Sequence, residues 1–429
     1  MQPTCILAIG VSLLLLPTNA FAIEKRDNLS VVAFPLQRVV GSPTIQNTRL
    51  HKRSFQSPLL NFLSITWVLS ISLGTPPRTI HVRLNTGSSD LVVETDSSDY
   101  CTTNPSICSV IGTYDANSSS TYQYVNSHLN VEYADLESAT GDYAKDDLKI
   151  GGVLIKVMQF GIMYHSTVVS GLLGVGFPVI EFLAASGYGE YNNLPILLVN
   201  QGYIQSAAYS LWFNGEHCLV TLPLVLGPYP SIEAFFVILQ EVQMRNSAGN
   251  LIDLNGGSNS CAFVLDSGTT MTLVPAALAQ SIFTAVNAVI SNSSAYVDCS
   301  LASSLFTVEY KFTGITISVP MSQLILPQNL SPTQCLFGIQ SSTIGSFVLG
   351  DSFLSSAYAV YDLDNKNVPL AQAVINATSE NIIEIGSGPD AVPSITGVNI
   401  NPTTTTRSMI TLAPKPANCN HVRFHLFIG

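Results

Sequence analysis

The sequence predicts an all-β protein of two lobes with a few short helices. From Trp67 onward, short runs rich in Val, Ile, Thr, Tyr and Phe are separated by Gly, Pro, Asn and Ser, the pattern of strands joined by turns. Charged residues make up only 10% of the chain, against roughly 25% in an average soluble domain. One motif also recurs once at long range. Together these features favour a β-rich extracellular protein over a helical cytosolic one.

The recurring motif predicts the two lobes. Residues 84–89 and 265–270 each hold an apolar residue, an acid or its amide, a hydroxyl residue, Gly and a further hydroxyl residue. An apolar-apolar-Gly element follows each copy, at residues 172–174 and 348–350. Repeats of short period, which would indicate a solenoid, are absent from the sequence. The expected lobes span residues 54–214 and 215–385.

Helical patterns are few. A strand is expected at residues 67–73, ahead of the Gly-Thr-Pro-Pro turn. The best helical segments are 178–186, 193–201 and 276–291, the last of which lies directly after Pro275, as a helix start permits.

The first 22 residues are interpreted as a secretory signal peptide, residues 1–22. Their apolar run from Cys5 to Leu16 is too short to span a bilayer, and the small-x-small cleavage pattern Ala-Phe-Ala ends at Ala22. The dibasic pairs 25–26 and 52–53 come next. Because maturation proteases cut after such pairs, residues 23–53 are expected to be a propeptide.

The end of the chain differs in composition from the lobes. Residues 386–429 contain a run of four Thr and scattered Pro, with little apolar periodicity. This composition predicts a flexible tail. Since no segment after the signal reaches transmembrane length, we expect no membrane span and a secreted, extracellular protein.

Cysteines and glycosylation sequons fit the same compartment. Cys101 and Cys108 are expected to close a short loop, and Cys299 and Cys335 a longer one, as an oxidising environment allows. Removal of Cys5 with the signal leaves an odd number of cysteines. The pairing of three stays open: Cys218, Cys261 and Cys419. Sequons that could carry glycans lie at Asn117, Asn292, Asn329 and Asn376.

Several function classes are disfavoured. The formal net charge of −11 repels phosphates, and no Lys/Arg cluster offsets it, so nucleic acid is not an expected partner. The seven His residues show no metal-ligand spacing and no His-Glu-x-x-His motif, so no metal is expected. A Gly-x-Ser-x-Gly nucleophile elbow is also absent from the sequence.

Five elements, taken in order along the chain, resemble the pepsin-like aspartic peptidases. They lie at residues 74–77, 85–89, 171–174, 266–270 and 348–354, and the match covers roughly residues 65–376. The tail motif at 392–398 is similar to fungal members. The resemblance implies the two-lobed pepsin-like fold, a monomer without a cofactor, and an extended polypeptide bound in a cleft between the lobes. It also implies an endopeptidase that acts on proteins at acid pH.

By this resemblance, Asp266 and the residue at position 85 face each other as the catalytic pair. The family's two carboxylates share one proton, because like charges so close cannot both ionise easily. The ionised acid takes a proton from a bound water, and the protonated acid supports the oxyanion and the departing amine. The supporting residues are expected to be Thr86, Gly87, Ser88, Ser267, Gly268 and Thr269. The hydroxyls of Ser88 and Thr269 match positions that hydrogen-bond the outer oxygens of the pair.

The chain departs from the family at the first acid. Asn85 stands where the resemblance places an Asp. A neutral amide can hold a water but can neither share nor shuttle a proton, and loss of an acid/base partner typically costs about 10² to 10⁴ in rate. We therefore expect weak or absent hydrolysis.

The segment that closes over the substrate departs as well. Tyr133 matches the tyrosine of this flap, but residues 134–136 replace its usual glycine-rich tip, and Val92 takes the place of the bracing Trp. Flap closure should be looser as a result. Residues 215–218 also stand where the family has a Gly-rich hairpin.

Two functions stay open at this stage, beside a third possibility, a degenerate copy that barely folds. One is an acid-acting endopeptidase with residual activity from Asp266, which the intact second loop and the propeptide favour. The other is a noncatalytic peptide-binding protein that keeps the cleft, which Asn85 favours.

Overall fold

Strands are the predominant secondary structure of the described residues. The computed structural model describes residues 32–34, 37–40, 65–133, 136–211, 220–223, 233–254, 260–326, 333–342, 345–373, 385–389, 392 and 426–428. The strands are β1 Val32–Phe34, β2 Gln37–Val40, β3 Ile65–Leu73, β4 Arg78–Asn85, β5 Leu91–Glu94, β6 Gln123–Glu132, β7 Ser138–Ile150, β8 Val153–Ser166, β9 Gly171–Gly174, β10 Ala208–Leu211, β11 Val220–Pro223, β12 Phe236–Leu239, β13 Glu241–Arg245, β14 Leu251–Ile252, β15 Cys261–Leu265, β16 Thr272–Val274, β17 Val289–Ser291, β18 Ser294–Asp298, β19 Thr307–Phe312, β20 Ile315–Pro320, β21 Ile325–Leu326, β22 Gln334–Phe337, β23 Ile339–Ser341, β24 Val348–Leu349, β25 Ala357–Asp362, β26 Asn367–Gln372 and β27 Leu426–Ile428. The mostly-β prediction is confirmed.

The helices are short. The α-helices are α1 Asp99–Thr103, α2 Pro105–Ile111, α3 Phe182–Ala185, α4 Leu194–Asn200, α5 Ala276–Ala285, α6 Met321–Leu324 and α7 Asp351–Leu354, and the 3₁₀ turns are Ala116–Ser118, Pro178–Ile180 and Cys299–Ser303. The first two predicted helices are therefore present in shorter form. The third prediction is wrong beyond residue 285, since β17 occupies residues 289–291. Asn287 adopts a left-handed backbone (φ 53°), which ends the helix and lets β17 pair with β18.

One eight-stranded sheet forms the first half of the molecule, in the order β2-β3-β4-β9-β5-β8-β7-β6. Side chains alternate along β4: Ile80, Val82 and Leu84 are buried in the core, while Arg83 and Asn85 lie on the opposite face. The alternation therefore directs Asn85 out of the hydrophobic core at the end of its strand.

The two copies of the sequence repeat have the same construction. In the first, β4 runs parallel to β9, with Leu84 opposite Leu173. In the second, β15 runs parallel to β24, with Leu265 opposite Leu349. Each apolar-apolar-Gly element is thus the strand that flanks a motif loop, which explains why the two features recur together.

A six-stranded sheet joins the two halves, in the order β1-β27-β10-β25-β26-β11. It combines strands from both sides of the predicted lobe boundary at residue 214. It also contains β1, from the predicted propeptide, and β27, from the predicted tail. One core of buried apolar residues runs beneath it and includes Leu84, Tyr209, Leu265 and Tyr361.

Both expected disulfides are present, Cys101–Cys108 and Cys299–Cys335. Among the residues that the structure describes, no helix combines the length and apolarity needed to cross a bilayer. Several predictions fall outside the described residues: the signal peptide, both dibasic pairs, residues 134–135 and 215–218, Cys218, Cys419, and the sequons at Asn329 and Asn376.

Candidate active site

The two motif loops meet, although they are far apart in sequence. Asn85 is the last residue of β4, and Asp266 directly follows β15. The backbone N–H of Gly87 donates to Oδ1 of Asn85 at 2.8 Å and to Oδ1 of Asp266 at 3.1 Å. One donor therefore serves both side chains, which places the amide and the carboxylate side by side.

The Asp266 carboxylate accepts further hydrogen bonds from its own loop. The Gly268 N–H donates to Oδ1 at 2.7 Å, and the Thr269 hydroxyl donates to Oδ2 at 2.6 Å. Bonds to both oxygens fix the plane of the carboxylate, since the two donors come from one rigid turn.

A glycine in each loop allows the close approach. A β-carbon on Gly87 would lie 2.6 Å from Oδ1 of Asp266, and one on Gly268 would lie 2.5 Å from Cγ of Asn85. Both distances are shorter than any real carbon contact, so a larger residue at either position would push the loops apart.

A reciprocal hydrogen-bond network ties the loops together beneath these side chains. The Thr86 hydroxyl donates to the Leu265 carbonyl at 2.9 Å and accepts from the Ser267 N–H at 3.0 Å. The Ser267 hydroxyl in turn donates to the Leu84 carbonyl at 3.0 Å and accepts from the Thr86 N–H at 3.3 Å. Thr86 and Ser267 are buried, so these bonds form away from competing water.

The supporting hydroxyls differ between the loops. Thr269 makes the expected contact with the outer oxygen of Asp266. Oγ of Ser88, by contrast, is buried without a hydrogen-bond partner in the part of the chain that the structure describes. Oδ1 of Asn85 accepts from the Gly87 N–H, and Nδ2 of the same amide can donate but not accept.

The carboxylate of Asp90, which sequence reasoning missed, anchors the end of the first motif. Asp90 is 2% exposed and accepts from the Tyr143 hydroxyl at 2.8 Å, the Tyr191 hydroxyl at 2.7 Å and the Phe182 N–H at 3.0 Å. Burial raises its pKa, although these hydrogen bonds oppose the change. The only sequence signal was an acid directly after the motif, because its partners lie far along the chain.

Tyr133 lies in the turn that joins β6 to β7. Its N–H donates to the Glu137 carbonyl at 2.8 Å, and its ring meets that of Phe182 edge to face, with centroids 6.0 Å apart. Val92 belongs to the buried cluster on which Tyr133 packs. Leu136, in the same turn, is 65% exposed and has a left-handed backbone (φ 70°).

Two glutamates are buried, Glu94 at the end of β5 and Glu181 directly before α3. Both Glu94 and Glu181 are 0% exposed. Burial raises the pKa of Glu94 to about 7, although the nearby hydroxyls of Ser98 and Ser166 oppose the change. Burial raises the pKa of Glu181 to about 9, although the Tyr191 N–H donates to its Oε2 at 2.7 Å. Both carboxyls are therefore neutral in acid.

Nothing in the described part of the chain resembles a metal centre, since no three His, Cys, Asp or Glu side chains are grouped to hold an ion there. The chemistry available at the two loops is that of one carboxylate, one amide and their backbone donors.

Comparison with known proteins gives consistent matches. Residues 66–373 match the family model described as eukaryotic aspartyl protease. A probable aspartic-type endopeptidase OPSB of Trichophyton verrucosum is 34% identical, over 95% of this chain and 88% of that protein. Candidapepsin of Candida tropicalis is 32% identical, over 83% of this chain and 92% of that protein. The acid protease of Saccharomycopsis fibuligera is 31% identical, over 82% and 95% respectively.

Proposed function

The chain belongs to the eukaryotic aspartyl protease family, and from this premise we propose that it binds extended polypeptides across the Asn85 and Asp266 loops and hydrolyses them weakly at acid pH. The observation that carries the proposal is the Gly87 N–H shared by Oδ1 of both side chains. In this arrangement a water could lie against both groups. The names of the relatives, aspartic-type endopeptidase and acid protease, support the reaction class.

The proposed reaction is attack of water on a peptide carbonyl. Asp266, when ionised, takes a proton from the water, and the Thr269 and Gly268 donors hold the carboxylate in place. The tetrahedral intermediate then needs a proton donor for the departing amine. Asp266 can pass on to the amine the proton that it took from the water, whereas in a pair of carboxyls the second acid protonates the carbonyl oxygen as the tetrahedral intermediate forms.

Asn85 cannot fill the second role, because an amide side chain has no titratable proton near neutral or acid pH. The water can still be oriented by the amide, but the carbonyl oxygen receives no proton from position 85 as the tetrahedral intermediate forms. Residues that act as a unit lose activity together when one is removed. We therefore place the rate at about 10² to 10⁴ below that of a complete pair.

The hairpin that carries Tyr133 is the second part of the proposed binding site. An extended peptide can satisfy its backbone groups strand-fashion between such a hairpin and the floor of a cleft. The alternative function, peptide binding without hydrolysis, uses the same surface and is favoured by Asn85 and by the unpartnered Ser88 hydroxyl.

The decisive experiment compares three full-length proteins after maturation: the natural chain, Asn85→Asp and Asn85→Asp/Asp266→Asn. Each is incubated with acid-denatured haemoglobin at about pH 3 to 5, with and without pepstatin, and new amino termini are counted. We expect slow or no cleavage by the natural chain and a rise of at least about 10² for Asn85→Asp, the lower end of the general-base contribution.

The double variant is the matched control, since it returns one amide and one acid with their positions exchanged. It should not show the rise in cleavage rate that is expected of Asn85→Asp. Equal rates for the natural chain and Asn85→Asp would contradict our account of position 85. No cleavage and no binding of the polypeptide by any of the three would contradict the proposed function as a whole.

We also propose that the protein is secreted. The signal pattern in residues 1–22 and the disulfides Cys101–Cys108 and Cys299–Cys335 support this location. Detection of the mature chain in culture medium rather than in cells is the corresponding test.

A further inference from the structure

An ion pair connects β4 with the turn that carries Tyr133. Nη2 of Arg83 lies 2.9 Å from Oε2 of Glu137, and the two side chains are only 13% and 5% exposed. No other ion pair among the described residues has both partners so well buried. The sequence motifs did not predict this ion pair, because Arg83 and Glu137 are 54 residues apart in the chain.

Arg83 is placed beside the motif loop by the alternation of its strand. It lies two residues before Asn85 on the same face of β4, which puts their α-carbons about 7 Å apart. Val82 and Leu84 flank Arg83 in sequence and pack in the hydrophobic core, which fixes the position of the strand. The guanidinium therefore stands next to the proposed peptide site and outside the hydrophobic core.

Glu137 is the residue that closes the hairpin turn. Its carbonyl accepts the Tyr133 N–H at 2.8 Å, and the Tyr133 carbonyl accepts the Leu136 N–H at 2.9 Å. The next residue, Ser138, starts β7 and pairs with Glu132 of β6. A shift of Glu137 therefore also moves the backbone of Tyr133, because the two residues are joined by this hydrogen bond.

We propose that Arg83 and Glu137 are positioning residues, which hold the Tyr133 turn against the strand leading to Asn85 and thereby set the width of the peptide site. This inference rests on the proposed function for the meaning of that site. The pair acts in place of the glycine-rich tip and the bracing Trp that the sequence lacks at residues 134–136 and 92.

The energetics favour a role in positioning over one in stability. Removing charge from water costs several kcal/mol per ion, so a buried ion pair adds little net stability compared with apolar residues of like size. Its geometry is demanding, however, and a charge-assisted hydrogen bond stabilises the conformation that makes it more than a neutral one does. A pair that bridges two elements therefore favours their closed arrangement.

The test uses four variants of the full chain: Arg83→Met, Glu137→Gln, the double variant Arg83→Met/Glu137→Leu, and Arg83→Lys. Single variants remove one member of the buried ion pair and can lower overall stability. The double variant removes both charges, so it should keep a melting temperature near that of the natural protein. Arg83→Lys retains the positive charge and serves as the conservative rescue.

Two measurements are made on each protein. Amide hydrogen exchange at Tyr133 and Leu136 reports opening of the turn without any ligand. Binding of fluorescein-labelled oxidised insulin B chain, followed by anisotropy at acid pH, reports the peptide site. For the double variant we expect exchange at least about tenfold faster and binding at least about tenfold weaker, a change of 1.4 kcal/mol. Arg83→Lys should restore most of the protection from exchange and most of the affinity for the peptide.

The matched control is Arg245→Met/Glu309→Leu, which removes an ion pair between β13 and β19 in another sheet. It should change neither measurement. Unchanged exchange at Tyr133 and Leu136 in the double variant overturns the inference, whatever the binding result. If the natural chain does not bind the peptide, the proposed function fails, while the exchange measurement still decides whether the ion pair positions the turn.

Discussion

The folded chain should lose stability as the pH rises from acid to neutral, because Glu94 and Glu181 are buried and neither forms an ion pair among the residues that the structure describes. Both are fully covered, and burial raises their pKa values from 4.5 to about 7 and about 9. In the unfolded chain both ionise near pH 4.5. Each pKa is higher in the folded state, so the stabilisation is complete below pH 4.5 and is lost as the pH rises through the folded values.

The size of the effect follows from the width of this window. Each pH unit between the unfolded and folded pKa values changes the free energy of unfolding by about 1.4 kcal/mol per group. Between pH 4.5 and 7, each glutamate therefore removes roughly 3 kcal/mol. Glu181 continues to remove stability up to pH 9, while the contribution of Glu94 levels off near pH 7. Since domains are typically stable by about 5 to 15 kcal/mol, the change is large.

Urea unfolding curves, recorded by circular dichroism at intervals from pH 4 to 7, measure the change. Glu181→Gln is the informative variant, because Gln has the shape of the neutral acid and its oxygen can accept the Tyr191 N–H. It should match the natural protein at pH 4 and exceed it by about 3 kcal/mol at pH 7. Glu132→Gln changes an exposed carboxyl and is the control. Parallel pH profiles for the natural chain and Glu181→Gln would refute the reasoning.

Three further predictions concern the loops and the disulfides. Gly268→Ala should cost about 1 to 3 kcal/mol by urea unfolding, because its β-carbon would lie 2.5 Å from Cγ of Asn85, whereas Gly386→Ala meets nothing within 4 Å and should be neutral. Thr86→Val removes a buried hydroxyl that donates to one backbone group and accepts from another of the opposite loop; it should cost about 1 to 3 kcal/mol in the same assay, and no loss would argue against the network. Cys299→Ser opens a disulfide that spans 36 residues and should lower stability by about 2 to 5 kcal/mol, a loss that calorimetry of the oxidised and variant proteins would detect.

Local sequence patterns predicted much of the fold. The strand at residues 67–73, the helices near 178 and 193, and the first half of the third helix all follow from apolar spacing and turn residues. The end of that helix was missed because it depends on the left-handed backbone of Asn287 and on the pairing of β17 with β18. Pairing with a distant strand outweighs helix propensity there, and no local pattern reports it.

The candidate site was predicted only in part for the same reason. The repeated motif indicated which two loops carry it, and the resemblance placed Gly87 and Gly268 among the supporting residues. The unpartnered hydroxyl of Ser88 and the hydrogen-bonded, buried carboxylate of Asp90 could be recognised only from the residues that surround them in the structure. A hydrogen bond depends on distances of a few tenths of an ångström, which residue types cannot specify.

By itself, the sequence determined that this is a mostly-β chain with two like loops, an amide in one and an acid in the other, because strand alternation and turn chemistry act between near neighbours. Tertiary structure decided what surrounds those loops: the shared Gly87 donor, the burial that keeps Glu181 neutral, and the contact of Arg83 with Glu137. Burial and ion pairing join residues distant along the chain, so their strength is set by packing and by exclusion of water.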